Sequence, residues 1–245
     1  MNAVVFGGTR GIGRAVARLL VARGDRVCLL GRSQDDLDKS AADLAIRGGE
    51  AQSVGVAICD LARPETFGPA LDAAAAALGS LDVIVVTAAE FGTQEALEAD
   101  LDRARSLLVN NFSHTIIFCE EARRRLLPQG GTLAVVSSVA GERGRKPVII
   151  YGAAKAGLTR YLEGLDHKYR AQGLRVVTVK PGFVKTAMTA GLKPPPFAGE
   201  APAVARDIVR AIDRGLPVVY TPPIWRYVML VIRLLPRAVM RKIGF

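Results

Sequence analysis

The opening of the chain constrains its fold more than any other stretch. Ala3 to Phe6 is a short apolar run of the kind that forms a buried parallel strand. It passes directly into Gly7-Gly8-Thr9-Arg10-Gly11-Ile12-Gly13 and then into a helical pattern from Arg14 to Arg23. Strand, glycine turn and helix, in that order, present backbone N–H groups at a helix N-terminus, where missing side chains let a pyrophosphate approach. Gly7, Thr9, Arg10, Gly11, Ile12 and Gly13 are therefore candidate contacts to a dinucleotide.

The same alternation continues to the end. Further strands are expected at Val27 to Leu30, Ala51 to Ile58, Leu81 to Thr87, Thr132 to Ser138, Leu174 to Lys180 and Val218 to Thr221. Helices are expected at Pro64 to Leu78, in a region between the fourth strand and Asn111, at Asn111 to Leu127 and at Ile150 to Ala171. Strands alternating with helices give βαβ units, hence an α/β fold with a doubly wound, mostly parallel seven-stranded sheet and helices on both faces. With 245 residues, half of them hydrophobic, one such domain is expected over 1–221, followed by a distinct segment at 222–245.

The second strand ends at Gly31-Arg32. An acid about 20 residues beyond the glycine turn would hold the ribose of NAD, whereas an arginine there accommodates the phosphate of NADP. Arg32, with Arg10 as a second cation, favours NADP(H). Ser33 with Asp36 three residues later suits a helix N-cap with acidic first-turn charge.

Tyr151-Gly-Ala-Ala-Lys155, with Ser138 thirteen residues before the tyrosine, is the candidate for chemistry. A spacing of four puts phenol and ammonium on one helical face. Lowering a phenol from about 10 to about 7 takes roughly 4 kcal/mol of preference for the anion. A unit charge ~4 Å away at an effective dielectric of ~20 supplies about that much. Lys155 is thus expected to tune Tyr151 into an acid or base near neutral pH.

Cys28, Cys59 and Cys119 are odd in number, far apart and set among apolar residues, which suits buried free thiols in a reducing compartment. His114 and His167 have no partner at ligand spacing, so no metal is expected. No basic region followed by a long apolar stretch opens the chain, so no signal peptide is expected.

Gly7-x-x-x-Gly11-x-Gly13, Ser138, Tyr151-x-x-x-Lys155 and Pro181-Gly182-Phe183-Val184-x-Thr186 together resemble the short-chain dehydrogenase/reductase family over almost the whole chain. The resemblance implies a Rossmann fold and hydride transfer between a nicotinamide and a carbonyl or alcohol carbon. Tyr151 would protonate the forming alkoxide, Ser138 would hydrogen-bond the substrate oxygen, and Lys155 would hold the nicotinamide ribose. Asn111 would complete the set through a water, with Asn110 as the alternative. Pro181, Gly182, Val184 and Thr186 would meet the nicotinamide, and Asp60, Leu61, Ala88 and Ala89 would serve the adenosine half. The family's Asn-Asn-Ala-Gly after the fourth strand is here Thr87-Ala88-Ala89-Glu90, which puts its strand-end hydrogen bonds in doubt; Glu90 is expected as an exposed loop carboxylate. Residues 185–204 correspond to the family's substrate lid, with Leu192 and Phe197 as apolar contacts around Pro194-Pro195-Pro196. A homodimer or homotetramer is the family expectation.

The formal charge of +10 is concentrated late: after Asp213 there is no acid, while Arg214, Arg226, Arg233, Arg237, Arg241 and Lys242 follow. These bases sit among Trp225, Tyr227, Val228, Met229, Leu230, Val231 and Ile232, which argues for a membrane surface rather than nucleic acid. Trp225 to Ile243 is expected helical apart from Pro236, with its arginines along one face. A packed or dimer-forming helix is the alternative. The wording of this tail, with Ser137 to Arg143, is similar to reductases of decaprenylphosphoryl keto-pentoses. That likeness implies a lipid-linked ketone, and a cytoplasmic protein held peripherally on the inner face of the membrane. A long-chain ketone of the 3-ketosphinganine type, or a soluble 3-oxoacyl or small hydrophobic ketone, are the alternative substrates.

Overall fold

The computed structural model describes residues 1–48 and 54–244. The expected strand start at 51–53 and the last residue of the C-terminal segment lie outside the described residues. Seven strands form one fully parallel sheet: β1 (Asn2–Phe6), β2 (Arg26–Gly31), β3 (Gly55–Ile58), β4 (Val83–Val86), β5 (Gly131–Val136), β6 (Leu174–Pro181) and, after a short pair, β9 (Val218–Thr221). Their order is β3-β2-β1-β4-β5-β6-β9. Phe6 pairs with Leu30 on one side and Val86 on the other, so the order reverses between β1 and β4. Crevices for ligands open at such a switch point, beyond the carboxyl ends of the strands. The short pair, β7 (Val184–Lys185) with β8 (Gly199–Glu200), stands apart from the sheet.

Both faces are covered. On one lie α1 (Gly11–Ala22), α2 (Gln34–Gly48) and α8 (Ala201–Arg214), whose Val16, Leu20, Leu37 and Ile208 meet Val5 and Leu29 of the sheet. On the other lie α3 (Phe67–Leu78), α6 (Thr115–Leu126) and α7 (Ile149–Tyr169). Phe6, Phe67 and Phe118 nest there, with ring centroids 4.6 Å apart for Phe6 and Phe118 and 5.4 Å for Phe67 and Phe118. Each fully buried ring of this kind contributes ~1.5–3 kcal/mol. The three cysteines are free and buried; burial pushes the thiols of Cys28 and Cys59 up to about 11 and about 12.

Two expected boundaries change. The helical region expected ahead of Asn111 is α4 (Gln94–Ala99) and α5 (Leu101–Leu108), and the longer helix follows α5 without a break, entering α6 through a π-turn over Val109–His114. The Thr115 N–H reaches back five residues to the Asn110 carbonyl there. The C-terminal segment is α9 (Trp225–Leu234) and α10 (Arg237–Lys242), separated by an extended Leu235-Pro236. Because α9 stops at Leu234, Arg226 and Arg233 do not share a helical face with Arg237 and Arg241. Pro236 has no N–H to continue the helix and disfavours helical backbone at the residue before it.

Candidate active site

A cleft of about 930 Å³ opens at the switch point, and its nucleotide end is made largely of backbone. Gly7 has φ +84°, in the left-handed region that a side chain disfavours. A Cβ on Gly13 would lie 2.3 Å from the Gly7 carbonyl oxygen and 2.4 Å from Thr87 Oγ1. Thr87 donates from that hydroxyl to the carbonyls of Phe6 (2.9 Å) and Gly7 (3.2 Å). The residue that departs from the family's pattern thus ties β4 to the glycine turn through a bond of its own. Helix α1 starts at Gly11 with no side-chain cap and no acid in its first turn, leaving its N-terminal dipole open to an anion. These features fit a dinucleotide pyrophosphate.

Gly7, Arg10, Gly11, Ile12 and Gly13 line this end, with Arg32, Ala88 and Ala89 beside them. Arg32 is exposed, and Arg10 pairs with Asp36 at 2.8 Å. The Asp36 N–H meets Ser33 Oγ at 3.3 Å, as the capping pattern predicted. Thr9, Asp60 and Leu61 lie outside the cleft wall. Thr9 gives its carbonyl to Arg14; Asp60 accepts from the Ala62 N–H and pairs with Arg63 at 3.4 Å. The Leu61 carbonyl meets His114 Nδ1 at 2.9 Å.

At the other end, β5 and α7 bring Ser138, Tyr151 and Lys155 together, and all three line the cleft with Pro181, Gly182, Val184 and Thr186. Ser137, just before, accounts for the alignment: its hydroxyl bonds the Lys155 carbonyl (3.1 Å) and Thr159 Oγ1 (2.7 Å), stitching strand end to helix. Ser138 Oγ accepts from the Ala140 N–H at 3.0 Å. Lys155 is 2% exposed; its ammonium donates to the Val136 carbonyl at 3.0 Å and sits 5.8 Å from the centre of the Tyr151 ring.

The electrostatics correct one expectation. Burial pushes the Tyr151 phenol up to about 12, against a smaller downward pull from its hydrogen bond with Ser138. Burial likewise brings the Lys155 ammonium down to about 8. Shared helical face and proximity are as the spacing implied, but desolvation is the larger influence on the phenol.

The two asparagines hold the loop that follows β4. Asn111 is fully buried in the π-turn, and its carboxamide brackets the Glu90 backbone, accepting from the N–H and donating to the C=O, both at 2.7 Å. Asn110 Nδ2 donates to Glu90 Oε1 at 2.7 Å. Glu90 is therefore a tethered carboxylate rather than an exposed one, and neither asparagine side chain lines the cleft.

Several lining residues had no local signal. Phe91 packs edge-on to Tyr151 with centroids 5.2 Å apart. Arg145 and Lys193 bring two cations to the substrate half, and burial lowers the Arg145 pKa. Trp225 comes from the C-terminal segment; with Met229 and Ile232 it packs on Val139, one residue beyond Ser138. Arg143 donates to the Leu235 carbonyl and Lys146 to that of Arg241, both at 2.8 Å. Among the described residues no group of three His, Cys, Asp or Glu could hold a metal ion, and no helix is long and apolar enough to cross a membrane.

Comparison with known proteins agrees with this geometry. The family model described as short chain dehydrogenase matches residues 1–196. An uncharacterized oxidoreductase of Mycobacterium tuberculosis is 33% identical over 240 residues, covering 98% of this chain and 95% of its own. Carbonyl reductase family member 4 of Danio rerio is 34% identical over 190 residues, 78% of each chain. Among solved structures, a short-chain type dehydrogenase/reductase from Mycobacterium ulcerans superposes with a TM-score of 0.80 at 23% identity, covering 89% of this chain and 87% of that one, a likeness of fold.

Proposed function

The chain belongs to the short-chain dehydrogenase/reductase family, and from that premise we propose that this oxidoreductase reduces a hydrophobic, lipid-linked ketone with NADP(H) at a membrane surface. The observation that carries the reading is the convergence of Ser138, Tyr151 and Lys155 beside the glycine turn, at the carboxyl ends of the strands.

A bound reduced nicotinamide would supply the hydride. Ser138 orients the ketone oxygen by hydrogen bonding, and Tyr151 donates the proton that converts the alkoxide to the alcohol. A phenol at about 12 is protonated at any physiological pH, which suits a donor. An alkoxide is about as basic as hydroxide, whose conjugate acid has a pKa of about 15.7. The transfer is therefore downhill. At neutral pH the same phenol is present almost wholly as the acid, the form that the reductive step uses. Arg32, exposed at the cleft wall where NAD enzymes carry an acid, supports the 2′-phosphate of NADP(H).

The outer face of α9 supports the membrane surface. Tyr227, Leu230, Val231 and Leu234 are exposed at helical spacing opposite the buried Trp225, Met229 and Ile232, with exposed Arg226, Arg237 and Arg241 close by. A homo-oligomer of the family's usual kind is part of the same proposal. The likeness to a carbonyl reductase favours one second reading, a small or carrier-bound carbonyl substrate taken from solution.

The test follows NADPH and NADH absorbance with lipid-linked, long-chain and small ketones, with and without anionic vesicles. The expected result is NADPH oxidation with a long-chain or lipid-linked ketone. Tyr151→Phe is expected to lower the rate by roughly 10²–10⁴ while still binding NADPH. Arg32→Asp is expected to move the preference toward NADH. Full turnover by the phenylalanine variant, or no ketone reduced by the wild type, overturns the proposal.

A further inference from the structure

We propose that Trp225 is a positioning residue for the substrate lid: the first C-terminal helix reaches back to hold the 186–198 loop over the cleft, and that hold sets how long an apolar ketone the site accepts. The base of the loop is fastened separately. Val184 pairs with Gly199 and Lys185 with Glu200, and the Gly199 N–H donates to the Phe183 carbonyl at 2.8 Å. On its far side the loop is met by the indole, whose Nε1 donates to the Phe197 carbonyl at 3.3 Å.

The indole itself has little room to move. Trp225 is 4% exposed, and a Cβ built on Gly182 would fall 2.0 Å from Nε1 and 2.3 Å from Cε2. The ring thus rests directly on the Pro181-Gly182 turn that lines the nicotinamide side of the cleft, and only glycine at 182 leaves it space. Met229 and Ile232, packed with Val139, fix the helix that carries it.

Phe197 shows that the loop is held rather than merely resting. It has φ +62° and is the one residue other than glycine at positive φ among the described residues. A residue with a Cβ keeps that backbone only where its surroundings impose it. The residue is 56% exposed, so side-chain packing does not impose it. The three prolines just before fix φ and carry the constraint toward Met188, Leu192 and Pro195, which line the substrate half. Released from Trp225, those apolar groups would lose their fixed place over a long substrate.

The kinetic arm of the test rests on the ketone-reductase reading; the spectroscopic arm does not. Trp225 is the only tryptophan in the chain, so the emission comes from this indole and its surroundings alone. Replacing Pro194, Pro195 and Pro196 together by glycine loosens the loop without touching the indole. Emission is then expected to shift to the red and acrylamide quenching to rise, at a Tm close to that of the wild type. Unchanged quenching overturns the proposal. In the kinetic arm, Trp225→Phe keeps an aromatic ring but removes the N–H. The KM for decan-2-one is expected to rise roughly two- to tenfold, the worth of one net hydrogen bond. The KM for butanone, too short to reach the lid, moves less, as does kcat. Equal changes for both ketones overturn the proposal. A wild type that reduces neither ketone defeats the functional reading, and the fluorescence result still decides on the latch.

Discussion

The nucleotide end of the cleft is made of backbone, and the substrate end of side chains drawn from four separated stretches. At the first, Gly7 and Gly13 crowd against Thr87, with no space for a single added carbon at Gly13. At the second, Phe91, Arg145, Leu192 and Trp225 arrive from the β4 loop, the segment after Ser138, the lid and the C-terminal helix. Backbone surfaces recognise what all dinucleotides share, and their tolerance is set by sterics. Side-chain surfaces can be exchanged one residue at a time, so substrate choice can change while the cofactor end stays fixed.

The sharpest way to break this contrast is to put a methyl group into the backbone end. Gly13→Ala places a Cβ 2.3 Å from the Gly7 carbonyl oxygen, and neither neighbour is a flexible side-chain tip. Relieving such a clash costs ~1–3 kcal/mol. NADP(H) affinity measured by fluorescence titration is therefore expected to fall roughly 5- to 150-fold. A variant that binds the nucleotide as the wild type does would show that the turn yields, and that backbone rigidity is not what distinguishes this end.

The two ends also differ in how far the sequence alone discloses them. Strand, glycine turn and helix are contiguous, and every strand of the sheet is a local apolar run, so the fold and the phosphate cradle follow from short-range pattern. The π-turn at Val109–His114 escapes that logic because the same residues satisfy four- and five-residue hydrogen bonding; only the bracketing of Glu90 by Asn110 and Asn111 selects it. The C-terminal helix is harder still. Its sequence is apolar on two opposite faces, and nothing local says that Trp225, Met229 and Ile232 turn inward while Tyr227, Leu230 and Leu234 stay exposed. Spacing likewise places Tyr151 beside Lys155 but says nothing about burial, which dominates both ionisations.

Those ionisations give the next largest effect, at the boundary between the two ends. Burial holds the Lys155 ammonium near 8, whereas the phenol stays protonated to about 12. A group with a lowered pKa loses its proton as pH rises through that value, so above about 8 the cationic lysine falls about tenfold per pH unit. If Lys155 holds the nicotinamide ribose as a cation, kcat/KM for NADPH, which reports groups on the free enzyme, is expected to decline with unit slope there. Lys155→Arg is expected to remove the inflection because a guanidinium stays charged. A flat profile from pH 6 to 10 would assign the lysine's role to its hydrogen bond with Val136 rather than to its charge.

The smallest expected effect tests whether the substrate end depends on a charge placed behind it. Glu142, four residues beyond Ser138, is buried with Lys180 of β6, accepts from the Tyr220 hydroxyl of β9 at 3.1 Å, and meets Arg233 of α9 at 3.5 Å. One carboxylate therefore joins the segment after Ser138, two neighbouring strands and the C-terminal helix. Burial first, then the adjacent Glu142, pushes the Tyr220 phenol up to about 12. Glu142→Gln keeps the shape and one acceptor but leaves the Lys180 ammonium without its counter-charge, which costs ~1–3 kcal/mol. At 2–4 °C per kcal/mol for a chain of this size, Tm is expected to fall by roughly 2–12 °C. Hydrogen exchange is expected to quicken in α9 and to stay unchanged in α1, with NADPH affinity unaltered. Unchanged exchange in α9 would mean that the apolar anchor of Trp225, Met229 and Ile232 holds the C-terminal helix by itself, and that the charge cluster serves only the sheet edge.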